Sequence, residues 1–209
     1  MGFGDLVRAV GGLEKTGVSK LVSARMREFE KAGRSPIERI FSELCFCILT
    51  ANFNAGRAIR IQDAIGRGFL TLPEKKLSDK LQKFGHRYPN ARAAYIIEAR
   101  KKIKALNLAL KSLSGGELRD WVVENVKGIG MKEASHFLRN IGHRDYAIID
   151  FHIIDVLAEH GLIEKPKTLS KGRYLEIEDM LRKIAKECKL TLSELDLYLW
   201  FMETGEVLK

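Results

Sequence analysis

Apolar residues recur at intervals of three and four along most of the chain, the spacing that places them on one face of an α-helix. One such series runs from residue 18 to 29, and a stronger one runs from 37 to 49. No stretch shows the strict alternation of apolar and polar residues that is typical of a half-buried strand. The pattern predicts an all-α fold.

Turn and capping residues divide this pattern into separate helices. Ser35 is expected to cap a central core helix in which Pro36 takes the first position. A long helix is expected from residue 91 to about 113, with a break near Asn107, before the clear interruption at residues 114–116. The helical pattern continues to the C-terminal tail.

The sharpest interruption is the segment Val126-Lys127-Gly128-Ile129-Gly130-Met131-Lys132. Gly128 and Gly130 allow the backbone to turn sharply and to approach a partner closely, so the segment predicts a tight helical hairpin. The second helix offers unpaired N–H groups that suit a phosphate. The plainer alternative is a simple connection between helices. The polar face of the second helix is expected to consist of Lys132, Ser135, His136 and Arg139.

Charge and composition narrow the possible partners. The net charge of +9 suits a polyanion such as nucleic acid, although many basic proteins bind none. Cys45, Cys47 and Cys188 are too few for a disulfide framework or a four-thiolate metal site, and they are expected to be buried structural residues in a reducing compartment. With no apolar run of about 18 residues and no signal peptide, we expect a cytoplasmic protein without membrane contact.

Lys132 has two interpretations. The ordinary one is a solvated side chain or a further phosphate contact. The catalytic one requires an uncharged amine, and both desolvation in a cleft and a nearby helix N-terminus disfavour the ammonium form. A neutral lysine amine can attack an electrophilic sugar carbon and form a Schiff base.

Asp150 follows eighteen residues after Lys132 and precedes another helical series. Its structural interpretation is the N-cap of the helix that starts at Phe151. A capping carboxylate is also held rigidly, so it could stabilise positive charge that develops on a sugar as a base departs. The two interpretations are compatible.

The hairpin segment, followed by Ile149-Asp150-Phe151-His152, resembles the signature of the helix-hairpin-helix DNA glycosylase superfamily. A proline usually precedes the first hairpin glycine in that superfamily, whereas this chain has Lys127, which could contact phosphate instead. The resemblance implies catalytic roles for Lys132 and Asp150. A lysine at the position of Lys132 marks the bifunctional members, which cut the glycosidic bond and then the strand.

Three further segments, at residues 46–52, 85–88 with 92–96, and 204–209, resemble the compact second family of 8-oxoguanine DNA glycosylases from archaea and bacteria. The resemblance implies that Lys209 distinguishes 8-oxoguanine from guanine and that Trp200 and Tyr88 sandwich the extruded base. The C-terminal carboxylate of Lys209 is a candidate acceptor for the N7–H that only the damaged base carries. Trp200 also lies off the buried stripe of its own helix, so an exposed stacking surface is expected there.

In related hairpins, backbone carbonyls near the turn hold a monovalent cation. The resemblance places these carbonyls at Glu124, Val126 and Ile129; no other cofactor is expected. It also implies one glycosylase domain over residues 1–209, with two helical subdomains flanking a DNA-binding cleft. One would span 36–148 and carry the hairpin, and the other would combine 1–35 with 149–209.

The sequence therefore predicts a bifunctional 8-oxoguanine DNA glycosylase and AP lyase that acts on double-stranded DNA as a monomer. Three alternatives stay open, of which the plainest is a hairpin with only a structural role in a protein that binds no DNA. Another is a glycosylase of the same superfamily for another damaged base, although the four-cysteine cluster of many oxidised-pyrimidine enzymes is absent from the sequence. The third is a helix-hairpin-helix module that binds DNA without catalysis.

Overall fold

A computed structural model describes residues 2–209, and every regular element in that range is a helix. The predicted all-α fold is confirmed. The helices are α1 (Phe3–Glu14), α2 (Val18–Gly33), α3 (Ile37–Thr50), α4 (Ala55–Ile65), α5 (Gly68–Thr71), α6 (Glu74–Lys83), α7 (Pro89–Lys101), α8 (Ile103–Ser112), α9 (Gly115–Asn125), α10 (Met131–Asn140), α11 (Phe151–Glu159), α12 (Lys171–Glu187) and α13 (Leu192–Thr204). Within residues 2–209, none of these helices is long and apolar enough to cross a membrane.

The chain divides into two compact units. One is Ala32–Ile141, which we call the hairpin unit. The other combines the residues up to Lys31 with Gly142–Lys209, and we call it the terminal unit. The sequence placed the boundaries after residues 35 and 148, whereas the structure places residues 32–35 in the hairpin unit and residues 142–148 in the terminal unit.

Hydrogen bonds to a buried extended segment explain where residues 142–148 lie. The Ala147 N–H donates to Glu178 Oε1 over 3.1 Å, and the Ala147 carbonyl accepts from the Tyr174 hydroxyl over 2.6 Å. The Ile148 N–H donates to Asp196 Oδ1 over 3.3 Å. Buried backbone groups need such partners, and here helices α12 and α13 of the terminal unit supply them.

Helix α3 is the core of the hairpin unit, as its apolar pattern predicts. Ten of its residues, from Ile40 to Thr50, are buried, among them Cys45 and Cys47. Helices α4, α5, α7, α8 and α10 pack around it. The helix begins at Ile37, and Pro36 rather than the expected Ser35 occupies the N-cap position, where its side chain makes no capping hydrogen bond.

The long helix expected from residue 91 is two helices, because α7 ends at Lys101 and α8 begins at Ile103. The break therefore lies at Lys102, earlier than the expected Asn107. The Lys102 side chain turns away to donate from Nζ to the Asn125 carbonyl over 2.8 Å, at the end of α9. This contact anchors the junction beside the helix that leads into the glycine hairpin.

Candidate active site

The connection between α9 and α10 requires glycine at position 128. Gly128 has φ +82°, a backbone conformation that side chains with a Cβ rarely adopt. A Cβ added there would lie 2.4 Å from Tyr95 Cδ2 and 3.3 Å from an Arg92 guanidinium nitrogen. The predicted sharp turn is confirmed at this residue, and the glycine also lets the hairpin pack directly onto α7.

Gly130 has a different environment. Its φ of −104° is open to any residue, so the expectation that both glycines turn the chain is wrong for this one. The nearest atom to an added Cβ would be Glu133 Oε2, at an ordinary 3.5 Å. Gly130 is the N-cap residue of α10, beside first-turn N–H groups that have no intrahelical acceptor. Nothing within the hairpin unit requires glycine here.

Arg92 and Tyr95 of α7 support the hairpin, and Lys127 of the hairpin lies near the Tyr95 ring. Arg92 is buried, donates to the Ala51 carbonyl over 2.6 Å, and stands 5.8 Å from the Tyr95 ring centroid. Its burial lowers the pKa of the Arg92 guanidinium. Lys127 is exposed, with Nζ 5.5 Å from the same ring and 3.7 Å from Glu98 Oε1. Because Lys127 is exposed, its ammonium group can reach a phosphate of bound DNA. Arg92 is buried and supports the hairpin instead.

Lys132 lies in the first turn of α10, two residues after Gly130. Its side chain is 29% exposed, and Nζ stands 3.6 Å from Glu133 Oε1. The other oxygen of that carboxylate accepts from the Gly130 N–H over 3.4 Å. The sequence singled out Lys132 but missed Glu133, whose place three residues after the N-cap was the available signal.

The remaining residues of the expected polar face of α10 are buried, which corrects the prediction. Ser135 is 0% exposed, and its hydroxyl accepts from the Arg119 guanidinium over 3.3 Å. His136 packs edge-on against the Phe46 ring, and Arg139 donates to the side chain of its neighbour in the chain. Helix α10 packs against both α3 and α9, so its polar face is covered too.

The backbone carbonyls that the resemblance assigns to a cation lie at the end of α9 and in the turn after it, where carbonyl oxygens are free to accept further contacts. Glu124 belongs to the last turn of α9, whose carbonyls have no intrahelical donor. Val126 accepts one hydrogen bond, from the Ile129 N–H over 3.3 Å, and a carbonyl has two lone pairs. Oxygen donors of this kind suit a hard cation, so the carbonyls of Glu124 and Val126 fit the group that the resemblance implies.

Tyr88 lies in the loop before α7, and its side chain is 40% exposed. Its N–H donates to His86 Nδ1 over 3.1 Å, and His86 Nε2 lies 2.9 Å from the Leu49 carbonyl. These two bonds define the neutral tautomer with its proton on Nε2. Burial lowers the pKa of His86, which also stacks on Phe53 at 4.2 Å. The sequence missed His86, although it precedes Tyr88 by only two residues.

In the terminal unit, Asp150 is the N-cap of α11, as predicted. Its Oδ1 accepts from the His152 N–H over 3.0 Å and from the Ile153 N–H over 3.2 Å. Both bonds use the same oxygen. The carboxylate is therefore held in one orientation while Oδ2 keeps its acceptor capacity.

Trp200 is half-buried, so the expectation of an exposed stacking surface is wrong in that respect. The His152 ring packs edge-on against the indole at 4.7 Å, and the Phe151 ring lies 3.9 Å from His152. An aromatic row thus joins Trp200 to the residues that follow Asp150. Its outer member, Phe151, is 66% exposed. His152 was not assigned a role from sequence; its position two residues after Asp150 was the only signal.

Lys209 is half-buried at the end of a short tail. Gly205, at φ +72°, ends α13 in the left-handed conformation, and the tail begins there. The Arg25 guanidinium donates to the Val207 carbonyl over 3.2 Å, which ties the tail to α2 within the terminal unit. The tail is therefore fixed to the terminal unit at Val207, two residues before Lys209.

The structure brings the predicted residues together in two groups. The hairpin unit holds Lys132, Tyr88 and the residues of the turn. The terminal unit holds Asp150, Trp200 and Lys209, the first two linked through His152. That both groups serve a single site stays a prediction.

The similarity of this chain to known proteins extends over its whole length. The family model of 8-oxoguanine DNA glycosylase matches residues 22–190. A Korarchaeum cryptofilum protein named 8-oxoguanine DNA glycosylase/AP lyase is 51% identical over 100% of both chains. A protein of the same name from Methanocaldococcus jannaschii is 48% identical, covering 98% of this chain and 99% of the relative.

Two solved structures share the fold. The crystal structure of the Methanocaldococcus jannaschii 8-oxoguanine glycosylase/lyase in complex with 15mer DNA containing 8-oxoguanine has a TM-score of 0.95 at 48% identity, covering 98% of this chain and 99% of that one. The 8-oxoguanine DNA glycosylase of Thermotoga maritima has a TM-score of 0.93 at 43% identity, covering 99% and 100%. The chain belongs to the helix-hairpin-helix family of 8-oxoguanine DNA glycosylases.

Proposed function

We propose that this protein is a bifunctional 8-oxoguanine DNA glycosylase and AP lyase of base excision repair. The observation that carries the proposal is the position of Lys132, in the first turn of the helix that follows a glycine hairpin. Full-length relatives at 51% and 48% identity carry the name of the same two activities. The substrate is double-stranded DNA that contains 8-oxoguanine.

Duplex binding begins at the hairpin. The first-turn N–H groups of α10 and the exposed Lys127 ammonium contact the phosphate backbone, which positions the DNA without reading its sequence. The absence of a Cβ at Gly130 lets the hairpin backbone approach a phosphate. A monovalent cation at the carbonyls of Glu124, Val126 and Ile129 would add positive charge beside that phosphate.

The damaged base leaves the duplex before it is read. Tyr88 and Trp200 stack on its two faces. The C-terminal carboxylate of Lys209 accepts the hydrogen bond from N7–H, a donor that guanine lacks. His86 holds the backbone of Tyr88 and His152 packs against Trp200, so each aromatic has a buried or half-buried support.

Lys132 supplies the nucleophile. Its uncharged amine attacks C1′ of the deoxyribose while the bond between C1′ and the base breaks; the base departs with the bonding electrons and takes up the proton that the attacking nitrogen gives up. The Asp150 carboxylate stabilises the positive charge that develops on the sugar. The Schiff base that forms on Lys132 then undergoes β-elimination, which nicks the strand.

The protein acts as a monomer in the cytoplasm, where its substrate is nucleoid DNA. One chain supplies every residue that the proposal uses, so no second copy is needed. The expected size is that of a single 23.7 kDa chain. Light scattering after size-exclusion chromatography measures it directly.

A two-readout assay tests the function. A duplex with one 8-oxoguanine is incubated with wild type or Lys132→Gln, and base release and strand nicking are quantified separately. We expect Lys132→Gln to lose nicking while duplex affinity stays within about threefold, because binding rests on many phosphate contacts. Parallel loss of binding and nicking would contradict the nucleophile. Activity on another lesion alone would identify a related glycosylase, and no activity on any lesion would leave a DNA-binding module.

A further inference from the structure

Glu133 is a charged group within 4.0 Å of the predicted nucleophile, and the proposed mechanism does not use it. Its carboxylate makes two contacts with different oxygens. Oε1 stands 3.6 Å from Lys132 Nζ, and Oε2 accepts from the Gly130 N–H. The side chain is only 15% exposed, so water screens its charge poorly.

The second contact fixes the position of the first. Gly130 directly precedes α10, and its N–H donates to the carboxylate of Glu133, the third residue of the helix. This hydrogen bond restricts the rotation of the Glu133 side chain. A negative charge is thereby kept beside Nζ. The nearby Arg92 guanidinium donates to the Ala51 carbonyl and also interacts electrostatically with the Glu133 carboxylate, whereas the contact of Glu133 Oε1 is with Lys132 Nζ.

The proposed reaction makes the Lys132 nitrogen cationic after the base has left. The nitrogen lone pair forms the C=N bond to C1′ as the bond between C1′ and O4′ breaks, and O4′ takes that electron pair and a proton. The product is a positively charged iminium. β-Elimination then removes a proton from C2′ to solvent, and the 3′ phosphate leaves with its bonding electrons. A fixed negative charge near the nitrogen favours each cationic state of that nitrogen, and the iminium is the cationic state on the path to strand nicking.

We propose that the Glu133 carboxylate stabilises the cationic Schiff base on Lys132 and so sets the rate of strand nicking relative to base release. The inference rests on the proposed function. It assigns to Glu133 an electrostatic role that acts after nucleophilic attack. An isolated cap role would need only a hydrogen-bond acceptor for the Gly130 N–H, without a charge.

Glu133→Gln separates the charge from the cap, because glutamine keeps an acceptor oxygen at the same reach. Glu98→Gln is the matched control: it removes the same charge from the same unit, beside Lys127 and not beside the nucleophile. Single-turnover base release from an 8-oxoguanine duplex and nicking of an abasic duplex are measured for each. The ratio of the two rates does not depend on the folded fraction of the preparation.

We expect Glu133→Gln to lower nicking by about tenfold or more, as loss of a charge contact at this distance implies, and to change base release by less than about threefold in either direction. Glu98→Gln should leave both rates within about twofold, and Glu133→Asp should recover part of the nicking. An unchanged rate ratio in Glu133→Gln would overturn the role. If wild type itself releases no 8-oxoguanine, the proposed function fails; if wild type is active and both glutamine variants match it, only the Glu133 inference fails.

Discussion

Replacing Gly128 by alanine tests whether the hairpin is constrained by its own fold or only by its partner. The residue has φ +82°, where alanine is strained. The new methyl group would lie 2.4 Å from Tyr95 Cδ2 and 2.7 Å from Cε2, closer than any real contact. Because Tyr95 belongs to α7, either the hairpin must move away from α7 or the Tyr95 ring must move.

Two costs add in this substitution. A non-glycine residue in a sparsely populated backbone region costs of order 1 kcal/mol, and forcing a methyl group into a packed contact costs about 2 kcal/mol. The free energy of unfolding should therefore fall by about 3 kcal/mol. In a protein of this length, that lowers Tm by roughly 6–12 °C.

Gly130→Ala is the matched control, since its φ is ordinary and an added Cβ has room. Its stability should change by less than about 1 kcal/mol, because lost N-cap preference and reduced unfolded-state entropy oppose each other. Its duplex affinity should fall, because the methyl group stands where the backbone approaches phosphate. Chemical denaturation and fluorescence anisotropy measure the two effects.

A double-mutant cycle isolates the clash. In a Tyr95→Ala background, Gly128→Ala should cost less, because the ring is gone and only the backbone strain remains. Equal stability of the two alanine variants would refute the packing argument. So would an equal cost of Gly128→Ala with and without the Tyr95 ring.

Three further predictions concern single residues. Asp150→Asn should keep Tm within about 1 °C, because asparagine caps as well as aspartate, yet lower base release by about a hundredfold; single-turnover assays with wild-type rates would contradict the charge role. Deleting Lys209 should reduce discrimination between 8-oxoguanine and guanine more than it reduces abasic-site nicking, and equal losses on both would contradict the recognition role. Burial lowers the pKa of His86 below 6.5, so the unfolded state binds a proton first and stability falls as the pH drops below about 6.5. His86→Gln should flatten this fall in urea titrations, and an unchanged slope would exclude His86 as a source.

Local signals predicted the helices and the hairpin well. Apolar periodicity reports a helix through its own residues, and it identified α3 as the core helix without knowledge of its neighbours. The Asp150 cap could also be predicted from sequence, because an N-cap side chain bonds only to the first turn of the helix that follows it. The positions of Lys132 and the turn glycines followed from the same short-range reading.

Features that depend on distant residues were missed. The polar face of α10 is buried because α10 packs against both α3 and α9. Periodicity shows which residues of a helix share a face, but it does not show whether another helix packs against that face. Trp200 is half-buried because His152, 48 positions earlier, packs on it. Residues 142–148 belong to the terminal unit through side chains such as Glu178 and Asp196, which lie far along the chain.

The two glycines of the turn look alike in sequence and differ in structure. Gly128 owes its identity to a positive φ and to Tyr95, which lies on another helix. Gly130 has neither constraint, so the fold of the hairpin unit does not explain the glycine there. Sequence spacing alone cannot separate a glycine that the fold requires from one that it does not.

Borohydride trapping tests the central claim most directly. Wild type and Lys132→Gln are each incubated with a duplex that carries one 8-oxoguanine, in the presence of sodium borohydride, and covalent complexes are resolved by denaturing electrophoresis. We predict a trapped complex with wild type and none with Lys132→Gln, because the reducible Schiff base forms on that nitrogen. A complex of equal yield with Lys132→Gln, or none with wild type on this duplex, would contradict the account.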